Sequence, residues 1–199
     1  MIRRIVQLLS RALPALLLLM AQGCAPLEKH VDLTYEKFVN AAGGSGDLFI
    51  AEPVMQQKLG ALPSGKQIVG TEKGTDLVVT KSPADWLRSA LAQELSAAGY
   101  SPRMVKDLPA GVSKGIKTAI LVLTASQATR MLTVVTVTEV KLEVEVWKNG
   151  QLVNRLTASA RDQEEGMDRS AEPIRSAFQR TLQRALQELV PDIVKNLEQ

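Results

Sequence analysis

The chain has one cysteine and one histidine in 199 residues. Lacking a second thiol, it can close no internal disulfide, so its core alone must hold the fold. His30 stands by itself, and without a second histidine or a free thiol neither a His-containing zinc cluster nor a Cys–His pair can form. A histidine-dependent serine nucleophile would have to use His30, close to the chain's start. A long apolar run is missing too. Residues 13–21 fall far short of the ~20 needed to span a bilayer, and Pro14 interrupts their start. These absences leave little room for catalysis. We expect no catalytic residues, no metal, no cofactor and no enzyme activity.

What is present first is an address. Arg3, Arg4 and Arg11 precede the run Ala15 to Cys24, which reads ALLLLMAQGC. A charged start, a short apolar middle and small residues before the cysteine are the parts of a secretory signal. Ala21-Gln22-Gly23-Cys24 resembles the lipobox of bacterial lipoproteins, with Ala21 where Leu is usual. That resemblance implies removal of residues 1–23 and acylation of Cys24. Ala25 follows it, and by the sorting rule of enteric lipoproteins this favours the outer membrane over the inner. Residues 24–29 then form the acylated start and a short tether, and residues 30–199 a single periplasm-facing domain.

Removing the signal's three arginines from 24 basic residues leaves 21, against 21 acidic ones. A balanced chain without a basic block gives no electrostatic reason to bind nucleic acid. The remaining 176 residues suit one domain with a sizeable core.

Residues 30–38 alternate as a strand would, with Val31, Leu33 and Tyr35 on one face. Residues 40–46 (NAAGGSG) and 161–169 read as flexible connectors. Strands are expected at 47–54, weakened at its end by Pro53, and at 66–71 and 76–80, with a hairpin turn at 72–75. Ser82-Pro83-Ala84-Asp85 opens a helix: Ser82 can accept from the Asp85 amide, the Asp85 carboxylate can reach back, and Pro83 fits the first turn. It runs to Ala98 with Leu87, Leu91 and Leu95 on one face, and Gly99 is suited to end it.

Residues 118–123 form a compact apolar run expected to be a strand buried on both faces, with a turn near 126–129. From 132 to 146 every even position is apolar or Thr, while the odd ones change from Val135 and Val137 to Glu139, Lys141, Glu143 and Glu145. One face is therefore covered throughout and the other becomes wet. Asn149-Gly150 suits a type I′ turn, and residues 151–160 pair back. A last helix opens at Ser170 or Glu172 with a stripe from Ile174 to Leu197, which Pro191 is expected to kink or divide.

Gly60 to Lys66 fits the G-x4-G-K half of a P-loop, but Gln67 replaces the hydroxyl residue and a strand follows where a helix should. Asp162, Glu164, Glu165 and Asp168 miss the EF-hand spacing, so a solvated acidic loop is the simpler reading. Trp147 falls on the charged face of the hairpin beside Glu143 and Glu145. It can pack on a neighbour or anchor a partner, since tryptophan is favoured at binding hot spots.

The lipobox, the segment 76–100 (DLVVTKSPADWLRSALAQELSAAGY), the hairpin 141–155 and the last helix together resemble the YajG family of bacterial lipoproteins. The family is functionally uncharacterised, so the resemblance implies a location and a fold and supplies no mechanism. The fold class expected is α+β: a two-layer domain, a mostly antiparallel sheet with two amphipathic helices packed on one face. The expected function is that of a membrane-anchored envelope component that binds a protein partner through Glu143, Glu145 and Trp147 or a free sheet edge. The alternative is an accessory lipoprotein in lipid or lipopolysaccharide transport, with an apolar groove.

Overall fold

The computed structural model describes residues 27–56, 60–61, 67–72 and 75–199. The signal, Cys24 and Ala25, most of the P-loop-like segment and the turn residues 73–74 lie outside them. Among the described residues, ten strands and two helices follow one another. They are β1 (Leu27–Val31), β2 (Asp47–Ala51), β3 (Val54–Met55), β4 (Gly60–Ala61), β5 (Gln67–Glu72) and β6 (Thr75–Val79). Then come α1 (Pro83–Ala97), β7 (Ser101–Val105), β8 (Lys114–Thr129), β9 (Val134–Lys148), β10 (Gln151–Gly166) and α2 (Glu172–Glu198).

The large sheet has the order β10-β9-β8-β2-β7, with β3 paired to β8 further along the edge that β2 occupies. The long hairpins β8–β9 and β9–β10 are antiparallel, and β2, β3 and β7 join in parallel. A small second sheet, β1-β6-β5-β4, was not anticipated. The fold class is as expected, α+β with the helices packed on the sheet.

The run 118–123 is not buried on both faces. Thr118, Ile120 and Leu123 are buried, whereas Ala119, Leu121 and Val122 are half-buried. The ladder to β9 slips between Ile120 and Val122, which makes Leu121 a bulge. One extra residue exchanges the two faces, so the inward positions change from even (Ile116, Thr118, Ile120) to odd (Leu123, Ala125, Gln127). The turn expected at 126–129 is likewise strand. Gln127 is buried there with its amide donating to Thr136 Oγ1 at 3.1 Å, and the chain reverses later, where the Arg130 amide meets the Thr133 carbonyl at 2.7 Å. Residues 161–166, read as connector, continue β10, because Asp162 turns inward to Arg180 (2.8 Å) and Arg184 (2.9 Å) on α2.

The β9–β10 turn is as expected, with Asn149 at φ 52° and Gly150 at φ 76°. In α1 the Ser82 hydroxyl accepts from the Asp85 amide at 3.5 Å, but the Asp85 carboxylate turns to Arg88 (2.8 Å) and not back to Ser82. The helix ends with Gly99 at φ 111°, the Tyr100 amide on the Leu95 carbonyl and the Gly99 amide on that of Ser96. That double bond is a Schellman ending. α2 runs through Pro191 undivided. Pro191 and Gln187, whose carbonyl loses its donor, are both exposed, so water can take the lost bond's place. The helices meet where Trp86 stands edge-on to Phe178, ring centres 6.1 Å apart. Twelve side chains of α2 are buried, and truncating a leucine among them to alanine costs about 2–5 kcal/mol.

The strand expected over 30–38 stops at Val31, and the chain continues to Gly46 as an irregular strap lying against both helices. Its apolar residues Leu33 and Val39 are buried, and side chains satisfy its backbone. Trp86 Nε1 of α1 donates to the Thr34 carbonyl (2.8 Å) and Gln183 of α2 to that of Glu36 (2.9 Å). Residues 40–46 are pinned, not flexible linker. The Gly44 amide donates to the Ala98 carbonyl at 2.9 Å, and Lys114 reaches both the Ser45 carbonyl (2.9 Å) and Glu198 (2.6 Å). Gly44 lies flat on the Tyr100 ring, where a side chain would collide.

Candidate interaction surface

The alternation of β9 turns Glu143, Glu145 and Trp147 away from α2, so all three share the open face of the sheet. Register then decides their neighbours. Lys117 of β8 and Arg155 of β10 both stand opposite Glu145, giving a row of cation, anion and cation across three strands. Arg155 donates to Glu145 at 2.6 Å and lies 3.6 Å from Glu143. Trp147 is half-buried: its Nε1 donates to Glu145 at 3.2 Å, and the Lys117 ammonium sits 5.1 Å above its ring. The hydrogen bond from Arg155 holds the Glu145 carboxyl below the usual carboxylate range.

Trp147 therefore packs on a neighbour and also presents part of its ring in a charged setting. Beside it, a hollow of about 190 Å³ is lined by Val54 and Gln56 together with Lys117, Ala119, Glu143 and Glu145. The sheet's edge completes the surface. Among the described residues β10 ends the strand order with β9 on one side only, and Leu152 and Val153 near its start are 44 % and 47 % exposed. Sequence reading found the face but not its cations Lys117 and Arg155, because opposition across strands follows from register.

A second hollow, about 570 Å³ and shallow, opens between α1 and β7. Ala92, Ala97, Pro102 and Met104 give it an apolar floor, with Lys37 at its rim. β7 had no assignment from the sequence; its place at the sheet's edge tolerates Pro102.

The acidic residues of 162–168 are each met by a donor. Asp162 and Glu164 bind Arg180, Glu165 accepts from Thr133 (2.6 Å), and Asp168 accepts from the Ser170 amide. Among the described residues no group of three or more His, Cys, Asp or Glu side chains could hold a metal ion. One pattern the sequence reading passed over is Gly111-Val112-Ser113-Lys114-Gly115, which has the G-x-S-x-G spacing of a nucleophile elbow. An elbow needs a strand turning into a helix, whereas Ser113 precedes β8. His30 follows Lys29, whose ammonium meets Gln127 near the other end of that strand, so the two cannot pair.

No protein-family model matches the chain. No curated protein is similar to it in sequence. Several solved structures are similar to it to different degrees. Lipoprotein GNA1162 from Neisseria meningitidis is 13% identical, with TM-score 0.36 over 75% of this chain and 99% of that one. Protein CT253 from Chlamydia trachomatis is 12% identical, with TM-score 0.44 over 77% and 98%. Protein XCC0632 from Xanthomonas campestris, described under the family model DUF330, is 12% identical, with TM-score 0.60 over 84% of this chain and 96% of that one. The chain thus has the fold of XCC0632 across most of both lengths.

Proposed function

We propose that the chain is an envelope lipoprotein of YajG-like type, held by acyl groups on Cys24 at the periplasmic face of the outer membrane, and that it binds a protein partner without catalysing a reaction. The observation that carries the binding role is the open edge of β10 beside the row Lys117–Glu145–Arg155. Among the described residues no strand pairs with the outer edge of β10. Toward the β9–β10 turn that edge offers backbone groups to an incoming strand, while further along Arg184 of α2 already donates to the Arg161 carbonyl at 3.2 Å. The adjacent row and Trp147 would set the register and the choice of partner. The lipid anchor rests on the lipobox-like Ala21 to Cys24, and no helix of the described residues is long and apolar enough to cross a membrane.

Crosslinking in intact envelopes from a photoreactive residue at Leu152 is the test. One protein should be trapped, and the trap should fail when Glu143, Glu145 and Trp147 are all changed to alanine. Undiminished trapping by that variant would sink the assignment of this face.

The hollow between α1 and β7 favours a second reading, an accessory in lipid or lipopolysaccharide transport. Its apolar floor and the Lys37 rim suit an acyl chain below an anionic headgroup. Native mass spectrometry of the full chain separates the two: an added mass equal to a phospholipid or glycolipid, lost on Met104→Asp substitution, supports transport, and its absence supports protein binding alone.

A further inference from the structure

The three most exposed large apolar side chains of the described residues are Met131 (95 %), Leu132 (81 %) and Met167 (81 %). All three lie at one end of the sheet. Met131 and Leu132 form the β8–β9 turn, where Thr129 faces Val134, and Met167 follows Gly166, which also faces Val134. Polar residues and glycine normally occupy such a turn, so a Met-Leu pair in water is a cost without a folding benefit. Of the charges beside the tip, Arg130 lies 3.8 Å from Glu165 and Asp168 accepts from the Ser170 amide at 2.8 Å.

The same end receives the start of the chain. The Lys29 ammonium donates to Gln127 at 2.7 Å, two residues short of the end of β8. From there the strap runs the other way, meeting α2 first at Thr34 and last at Ser45, which binds Glu198. Lys29 is five residue steps from Cys24, a reach of at most about 18 Å even when fully extended. Acyl groups on Cys24 would thus hold the membrane near the end of the sheet that carries Met131, Leu132 and Met167.

We infer that this end faces the bilayer and that Met131, Leu132 and Met167 insert into the lipid interface as a second contact beside the acyl anchor. The inference rests on the acylation of Cys24 proposed above. An acyl anchor fixes a point on the surface and leaves orientation free; a three-residue apolar tip at the same end restricts the tilt. The start of β10, with Leu152 and Val153, and the β9–β10 turn are thereby presented away from the membrane.

The test uses full-length protein in vesicles of phosphatidylethanolamine and phosphatidylglycerol. Acylation occupies the chain's own thiol, so Met131→Cys gives a unique site for a fluorophore, and Ser113→Cys labels the opposite end as control. With nitroxide-bearing lipids, the label at 131 should lose most of its emission and the label at 113 should keep it. Both positions are exposed, so neither change threatens folding. Acylated, vesicle-bound protein whose label at 131 stays bright overturns the insertion while leaving the anchor intact. Energy transfer between labelled copies at 131 without lipid quenching overturns it in favour of self-association. An intact mass without acyl groups overturns the anchor, and the insertion with it.

Discussion

The Glu94 carboxylate, buried on α1, accepts the Tyr35 hydroxyl of the strap. The same carboxylate takes the amides of Phe38 at 2.7 Å and Val39 at 3.1 Å. A buried acid is costly unless its oxygens are met, and here the strap meets them. Charge on the helix and backbone on the strap satisfy each other, so removing either strands the other.

Glu94→Ala should therefore leave two amides and a phenol without their acceptor and destabilise the domain by about 3 kcal/mol. Urea unfolding measures the loss, and hydrogen exchange should show residues 35–39 opening first. A midpoint unchanged from the parent would mean that the strap is held by its apolar residues alone.

Burial, then the bond to Glu94, pushes the Tyr35 phenol far above its ordinary value of 10.0. Burial raises Tyr100 as well. The unfolded chain releases these protons first as pH rises, so the stabilisation is complete below about pH 10 and is lost above it. Urea midpoints should fall between pH 9 and pH 11. Tyr35→Phe should reduce that slope and Tyr35→Phe with Tyr100→Phe should reduce it further.

Thr138 of β9 and Thr181 of α2 share a buried hydrogen bond of 2.7 Å, and Thr181 also bonds the Ala177 carbonyl at 2.7 Å. Thr181→Val leaves the Thr138 hydroxyl buried without its partner, a cost of about 1–3 kcal/mol. Changing both to valine should recover much of that loss. A double-mutant cycle by thermal unfolding checks the sign, and simple additivity would contradict it.

Gly44→Ala forces a methyl into the buried Tyr100 ring, and a packed site of this kind resists by about 1–3 kcal/mol. Gly43→Ala next door meets open space but holds φ at 100°. A smaller loss is expected there, from backbone strain alone. Melting temperatures of the two variants separate overlap from strain.

The hairpin β9–β10, α1 and the stripe of α2 were legible because each rests on a local period or a cap. Buried Val140, Leu142, Val144 and Val146 alternate without interruption. What escaped is non-local. The Leu121 bulge reverses a face in mid-strand, so the apolar run around it mimics burial on both sides. Gly44 looks like linker because its reason for being glycine is the ring of Tyr100, 56 residues away. Asp162 reads as loop because its two arginines stand on α2. Trp147, Glu143 and Glu145 were legible as a face, but the cations that fill it arrive by register from β8 and β10.

The direction of α2 has a consequence for reach. Its first turns lie by Thr34 and Asp162, and its last residue, Glu198, lies by Lys114 and Ser45. Twenty-seven helical residues measure about 40 Å from end to end. The molecule is a strut: whatever docks near Gly150 stands about that far from where the chain's leading segment enters, a span on the scale of a whole small domain.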